Sequence, residues 1–183
     1  MNKPTGYDQA EAKSFSGGKP VPPGAYVLEI LKAESKKATT GNDMLVLTLD
    51  IAKGEYARKF TEISDDRKHD CYLKHRRVTN TEGSLPYFKG DIKAIEESNP
   101  GYKFDFDEST LRGNFVGAML AEEEYEKKDG TIGTSLKIAF LCSVATAESG
   151  KLQVPKKKEI DFSSNRKLQT DVPPPIDDSD LPF

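Results

Sequence analysis

A chain of 183 residues with a formal charge of −3 is long enough to bury one core with appendages, and its longest mostly apolar run, 139–147, is far short of the roughly 20 residues of a bilayer span. Cys71 and Cys142 are too few and too widely spaced for a disulfide framework, and no apolar signal segment opens the sequence, so a reducing cytoplasm is expected. The negative total argues against a phosphate-binding surface, but positions 171–183 hold four Asp and no Lys or Arg, which leaves 27 basic against 26 acidic residues in the rest.

Residues 1–23 are rich in Gly, Ser, Pro and Lys and are expected to form a flexible lead. Pro22-Pro23-Gly24 closes it, and a first strand is predicted over 25–33. Thr39-Thr40-Gly41-Asn42 supplies turn chemistry before a second strand over 44–51, where Leu45, Leu47, Leu49 and Ile51 alternate with Val46, Thr48 and Asp50. A short basic-aromatic piece, Tyr56-Ala57-Arg58-Lys59-Phe60, and a loop rich in Asp and Lys lead to a third strand over 70–79. Period two puts Cys71, Leu73 and His75 on one face and Tyr72, Lys74 and Arg76 on the other. Ser84 can cap a helix carrying Leu85, Phe88, Ile92 and Ile95 on one face, with Pro86 tolerated in its first turn and Asn99-Pro100-Gly101 as its stop. Strands over 111–125 and 131–147 follow, joined by Lys127-Lys128-Asp129-Gly130, and the second should place Leu136, Ile138, Phe140, Cys142 and Val144 on one face. From 149 the pattern loses periodicity, which reads as a flexible linker to 176 and a tail over 177–183.

The order strand, strand, strand, helix, strand, strand is that of the OB-fold, a mainly β, five-stranded barrel with its helix between strands three and four and an oligonucleotide-binding face. Residues 24–148 resemble the OB domain of single-stranded DNA-binding proteins of phages and mobile elements, in Pro-Pro-Gly-Ala-Tyr at 22–26, Gly-Asn-Asp at 41–43 and Leu-Arg-Gly-Asn-Phe-Val-Gly at 111–117. The tail strengthens the likeness. Asp177, Asp178 and Asp180 precede Leu181-Pro182-Phe183, an order similar to the acidic, Pro-Phe tails of bacterial single-stranded DNA-binding proteins. An acidic segment gains nothing from an exposed Phe unless something buries it, so the tail reads as a docking peptide. The resemblance implies sequence-independent binding of single-stranded DNA during replication, recombination or repair in a bacterial host cell, with partner enzymes recruited by the tail.

A single-strand binder needs cations along the phosphate path and flat rings for unstacked bases. Tyr72, Lys74 and Arg76 offer both on one strand face, with Arg77 adding charge at its end, and Tyr56, Arg58, Lys59 and Phe60 repeat the combination. Lys36-Lys37 and Tyr125, Lys127 and Lys128 belong to the loops that flank an OB groove. The competing reading puts Tyr72 and Phe60 in the core. His69, Cys71 and His75 lack a fourth ligand at metal-site spacing, and Glu122-Glu123-Glu124 reads as a solvated acidic edge. With no phosphate-cradling loop and no nucleophile elbow, no catalysis, metal or cofactor is expected. A protein-binding barrel without DNA contact is the rival reading, and whether the chain forms a homo-oligomer is not written in the pattern.

Overall fold

The computed structural model describes residues 20–160; the lead up to 19 and the whole acidic tail lie outside the described residues. The elements run β1 (Gly24–Lys37), β2 (Asp43–Ile51), α1 (Lys59–Arg67), β3 (Leu73–Val78), α2 (Leu85–Ser98), a 3-10 turn over Glu108–Leu111, β4 (Phe115–Glu126), β5 (Ile132–Cys142) and α3 (Val144–Glu148). The strands make one antiparallel sheet in the order β3-β2-β1-β4-β5. It is mainly β with five strands, as expected, but it is open. Cα atoms of β3 and β5 come within 8 Å of each other, yet these edge strands are not hydrogen-bonded to one another. Among the described residues no helix is long and apolar enough to cross a membrane.

Strict alternation makes β2 the centre of the core, with Leu45, Leu47, Leu49 and Ile51 between 0 and 6% exposed. Leu28 and Ile30 of β1, Val116, Ala118 and Leu120 of β4, and Ala94 and Ile95 of α2 close around them. A bulge between Ile30 and Lys32 resets β1. After it Lys32, Glu34 and Lys36 stand opposite Thr48, Val46 and Met44, on the outer face of the sheet. Two irregularities overturn details of the sequence reading. The last strand stops at Cys142, because Ser143 caps α3 by accepting from the Thr146 amide at 3.3 Å. A second bulge, at Ala139, sends Phe140 and Cys142 opposite Met119 and Gly117, so Leu141 joins Leu136 and Ile138 on the core side and Phe140 is 37% exposed.

α2 starts where expected, but Ser84 does not cap it; its hydroxyl turns back to the Thr81 carbonyl at 3.0 Å. At the other end Asn99 accepts from the Phe115 amide at 2.9 Å and donates to the Ile95 carbonyl at 2.7 Å, tying the helix to the start of β4. α3 lies against β4 at Gly117, where an added Cβ would sit 2.5 Å from the Ser143 carbonyl oxygen and 2.8 Å from the Ala147 methyl. Beyond Leu120, β4 outruns β1 and its backbone is open on that side. Lys158 fills the opening: its amide donates to Glu122 O at 3.0 Å and its carbonyl accepts from Glu124 N at 2.9 Å. Lys157 and Lys158 then pair with Glu124 at 2.7 Å and Glu123 at 2.9 Å, so the acidic run is a paired edge rather than a solvated one.

Candidate nucleic-acid interface

The outer face of β1, β2 and β3 forms an open groove of about 810 Å³, walled on one side by the end of α1 and the loop after it. Its wall was not foreseen, because residues 59–67 carry almost no apolar periodicity and read as loop. The helix is held from a distance. Asp50, on the outer face of β2, accepts from the Phe60 amide at 3.1 Å, the Thr61 amide at 2.7 Å and the Thr61 hydroxyl at 2.6 Å. Those are first-turn donors that a helix cannot satisfy by itself, so a strand carboxylate takes the place of a local cap. Arg58 and Lys68 flank α1 with φ of 58° and 50°. Ser64 accepts from the Cys71 amide at 3.0 Å and so fixes the approach to β3.

β3 then presents its two faces as its alternation demands. Leu73 and His75 are buried, whereas Tyr72, Lys74 and Arg76 line the groove together with Lys32 and Lys36 of β1 and Lys68. Lys74 lies 5.9 Å from the centre of the Tyr72 ring and donates to Thr48 Oγ1 at 2.9 Å, so the ring has a cationic neighbour anchored to the groove floor. Three of the cations are already paired. Glu34 meets Lys32 at 2.9 Å and Lys36 at 3.2 Å, and these hydrogen bonds, Lys32 first, hold its carboxyl below the usual range. Asp70 meets Lys74 at 2.9 Å and is lowered by that bond. Lys68 and Arg76 have no ion pair among the described residues. The trough therefore combines the Tyr72 ring, five Lys and Arg cations and two clamping carboxylates, with Asp65 and His69 on its wall, a surface that can accept a flat base and its phosphates in exchange for internal salt bridges.

Of the residues singled out from sequence, Lys36, Tyr72, Lys74 and Arg76 come together here. Arg77 does not: its Nε donates to Asp91 Oδ2 at 2.7 Å on the core side, and its guanidinium lies 5.4 Å from the Tyr87 ring. Tyr56 and Phe60 pack against the core, Tyr56 edge-on to Tyr26 at 6.3 Å. Arg58 is exposed beside them, Lys59 pairs with Glu62 at 3.5 Å, and Lys37 pairs with Asp43 at 2.5 Å. Tyr125, Lys127 and Lys128 sit at the exposed end of the β4–β5 hairpin, outside the groove, with the Tyr125 ring over Gly133. Lys32 and Lys68 were missed. The first owes its place to the β1 bulge and the second to a helix that the local pattern does not announce.

His75 and Asp91 tie the back of β3 to α2, with Nε2 and Oδ2 at 2.8 Å. Burial pushes the Asp91 carboxyl up, but the hydrogen bonds from His75 and Arg77 outweigh it and hold the group below its ordinary value. The strand that carries Tyr72 is thus fixed from behind by a buried, fully hydrogen-bonded carboxylate.

No curated protein matches the chain. A family model does match, over residues 5–110, and its span includes β1, β2, α1 and β3, and so every segment that lines the groove. The chain belongs to the DUF669 family, described as a protein of unknown function.

Proposed function

We propose that this protein binds single-stranded DNA without sequence preference, serving replication, recombination or repair of phage or mobile-element DNA in a bacterial host cell, and that its tail recruits partner enzymes. The observation that carries the reading is the meeting of Tyr72, Lys74 and Arg76 with Lys32, Lys36 and Lys68 in one open trough. A ring among cations suits single strands, whose bases are free to stack; each stacked base contributes about 1–3 kcal/mol whatever its identity. The order β3-β2-β1-β4-β5, with α2 between β3 and β4 and the edge strands close together, supports an OB-type architecture whose final seam is unpaired.

The test is a titration of labelled oligo-dT and of duplex against the wild type and Tyr72→Ala at two salt concentrations, with and without magnesium. The reading expects preference for the single strand, a steep loss of affinity with salt and a several-fold loss in the variant. No oligonucleotide affinity at either salt would leave a protein-binding module instead. Magnesium-dependent turnover of the oligonucleotide would make the protein an enzyme.

A further inference from the structure

A second depression lies away from the trough, between α2 and the segment 103–106. It encloses about 1000 Å³ and its walls are Leu85, Phe88, Ile92, Phe104 and Phe106. Leu85 is 48% exposed and Phe106 81% exposed. Phe106 also holds φ at 69°, a left-handed conformation that bulky residues avoid, with its ring 5.4 Å from that of Phe104. A strained backbone that carries a large ring into solvent beside an apolar slot is the geometry of an unfilled contact. The rim is charged. Lys93 and Lys103 pair with Glu97 and Glu96 at 3.6 Å and 3.0 Å, while Lys89 and Glu82 have no ion pair among the described residues.

We infer that this slot takes the chain's own segment Leu181-Pro182-Phe183, with Asp177, Asp178 and Asp180 lying towards Lys89 and Lys93. The complementarity is first that of an apolar tripeptide to an apolar slot; the rim is balanced in charge, three Lys against three Glu, and Lys89 is its cation without an ion pair among the described residues. Reach allows it. The 20 residues from 161 to 180 span roughly 25 Å as a coil and at most about 70 Å extended, against a domain about 35–40 Å across. Tethering raises the local concentration of the segment to about the millimolar range, so even a weak site is occupied within one molecule. In that state the apolar hook is covered, and a partner has to compete for it.

The inference is tested on the full chain with the photoreactive amino acid p-benzoylphenylalanine in place of Phe183. Irradiation followed by mass spectrometry should give a product of monomer mass, cross-linked to peptides of 85–92 or 104–106. The yield should fall at least five-fold in Lys89→Glu and in Phe106→Gly, a change that also suits the left-handed backbone and leaves the core untouched. Cross-links to the Tyr72 trough, a product of dimer mass, or no product would each overturn it. Oligonucleotide affinity measured on the same preparations reports separately on the single-strand reading, which this inference does not need.

Discussion

Tyr72 and Arg77 are five residues apart on one strand and its approach, and their surroundings assign them opposite tasks. Tyr72 is half-buried along the trough with Lys74 against its ring, while Arg77 points the other way, to Asp91. Replacing Tyr72 by Ala should weaken oligo-dT binding by roughly 5- to 160-fold, the equivalent of about 1–3 kcal/mol for one stacked base, and leave the melting temperature nearly unchanged. Tyr72→Phe should retain most of the affinity, since the proposed stacking needs the ring and not the hydroxyl. Arg77→Ala should do the reverse, lowering stability while sparing affinity; fluorescence anisotropy and thermal melts on both variants separate the two roles. Period two in β3 made Tyr72, Lys74 and Arg76 legible from sequence. The same period puts Arg77 with His75, and only its place at the strand end hid that.

At the level of elements, position depends on contacts that skip far along the chain. α1 is set by Asp50, α2 by Asn99 and Asp91, and α3 by the absence of a side chain at Gly117. Such links leave no periodic trace, which is why β2 and α2, with their own repeating apolar faces, were readable while α1 was not. The bulges at Leu31 and Ala139 are equally silent, since each is a single extra residue in a run that otherwise looks regular. Gly117→Ala would drive a methyl into the Ser143 carbonyl and the Ala147 side chain and should cost about 1–3 kcal/mol in denaturant unfolding, with α3 displaced. Asp91→Asn leaves Arg77 and His75 with a weaker acceptor and should cost about 3 kcal/mol near neutral pH. Its pH dependence has a definite sign. Asp91 has a folded pKa below its unfolded value of about 3.9, so its contribution is complete above that value and disappears as pH falls through the lowered one. The gap in stability between wild type and Asp91→Asn should therefore narrow below about pH 4, as urea melts across that range would show.

For the whole molecule, charge placement matters more than the total of −3. The trough gathers Lys32, Lys36, Lys68, Lys74 and Arg76, and of its three carboxylates Glu34 and Asp70 stand against three of these cations while Asp65 pairs with none of them. On the proposed reading, binding a strand exchanges two internal clamps for phosphates. If all five cations met phosphates, the logarithm of affinity would fall with the logarithm of salt with a slope of about −3.5, at about −0.7 for each contact on single strands. The clamps make the measured slope shallower, because each Lys that stays with its carboxylate releases no counterion from the DNA. Glu34 is the stronger lever, since it holds two cations at once. Glu34→Gln frees Lys32 and Lys36 without removing volume from the outer face. It should tighten oligo-dT binding several-fold at low salt and steepen the salt slope by about one to one and a half. Affinity that is unchanged, or weaker, would mean that Glu34 orders the two lysines for the strand rather than competing with it, and the slope measured on the same titrations distinguishes these cases.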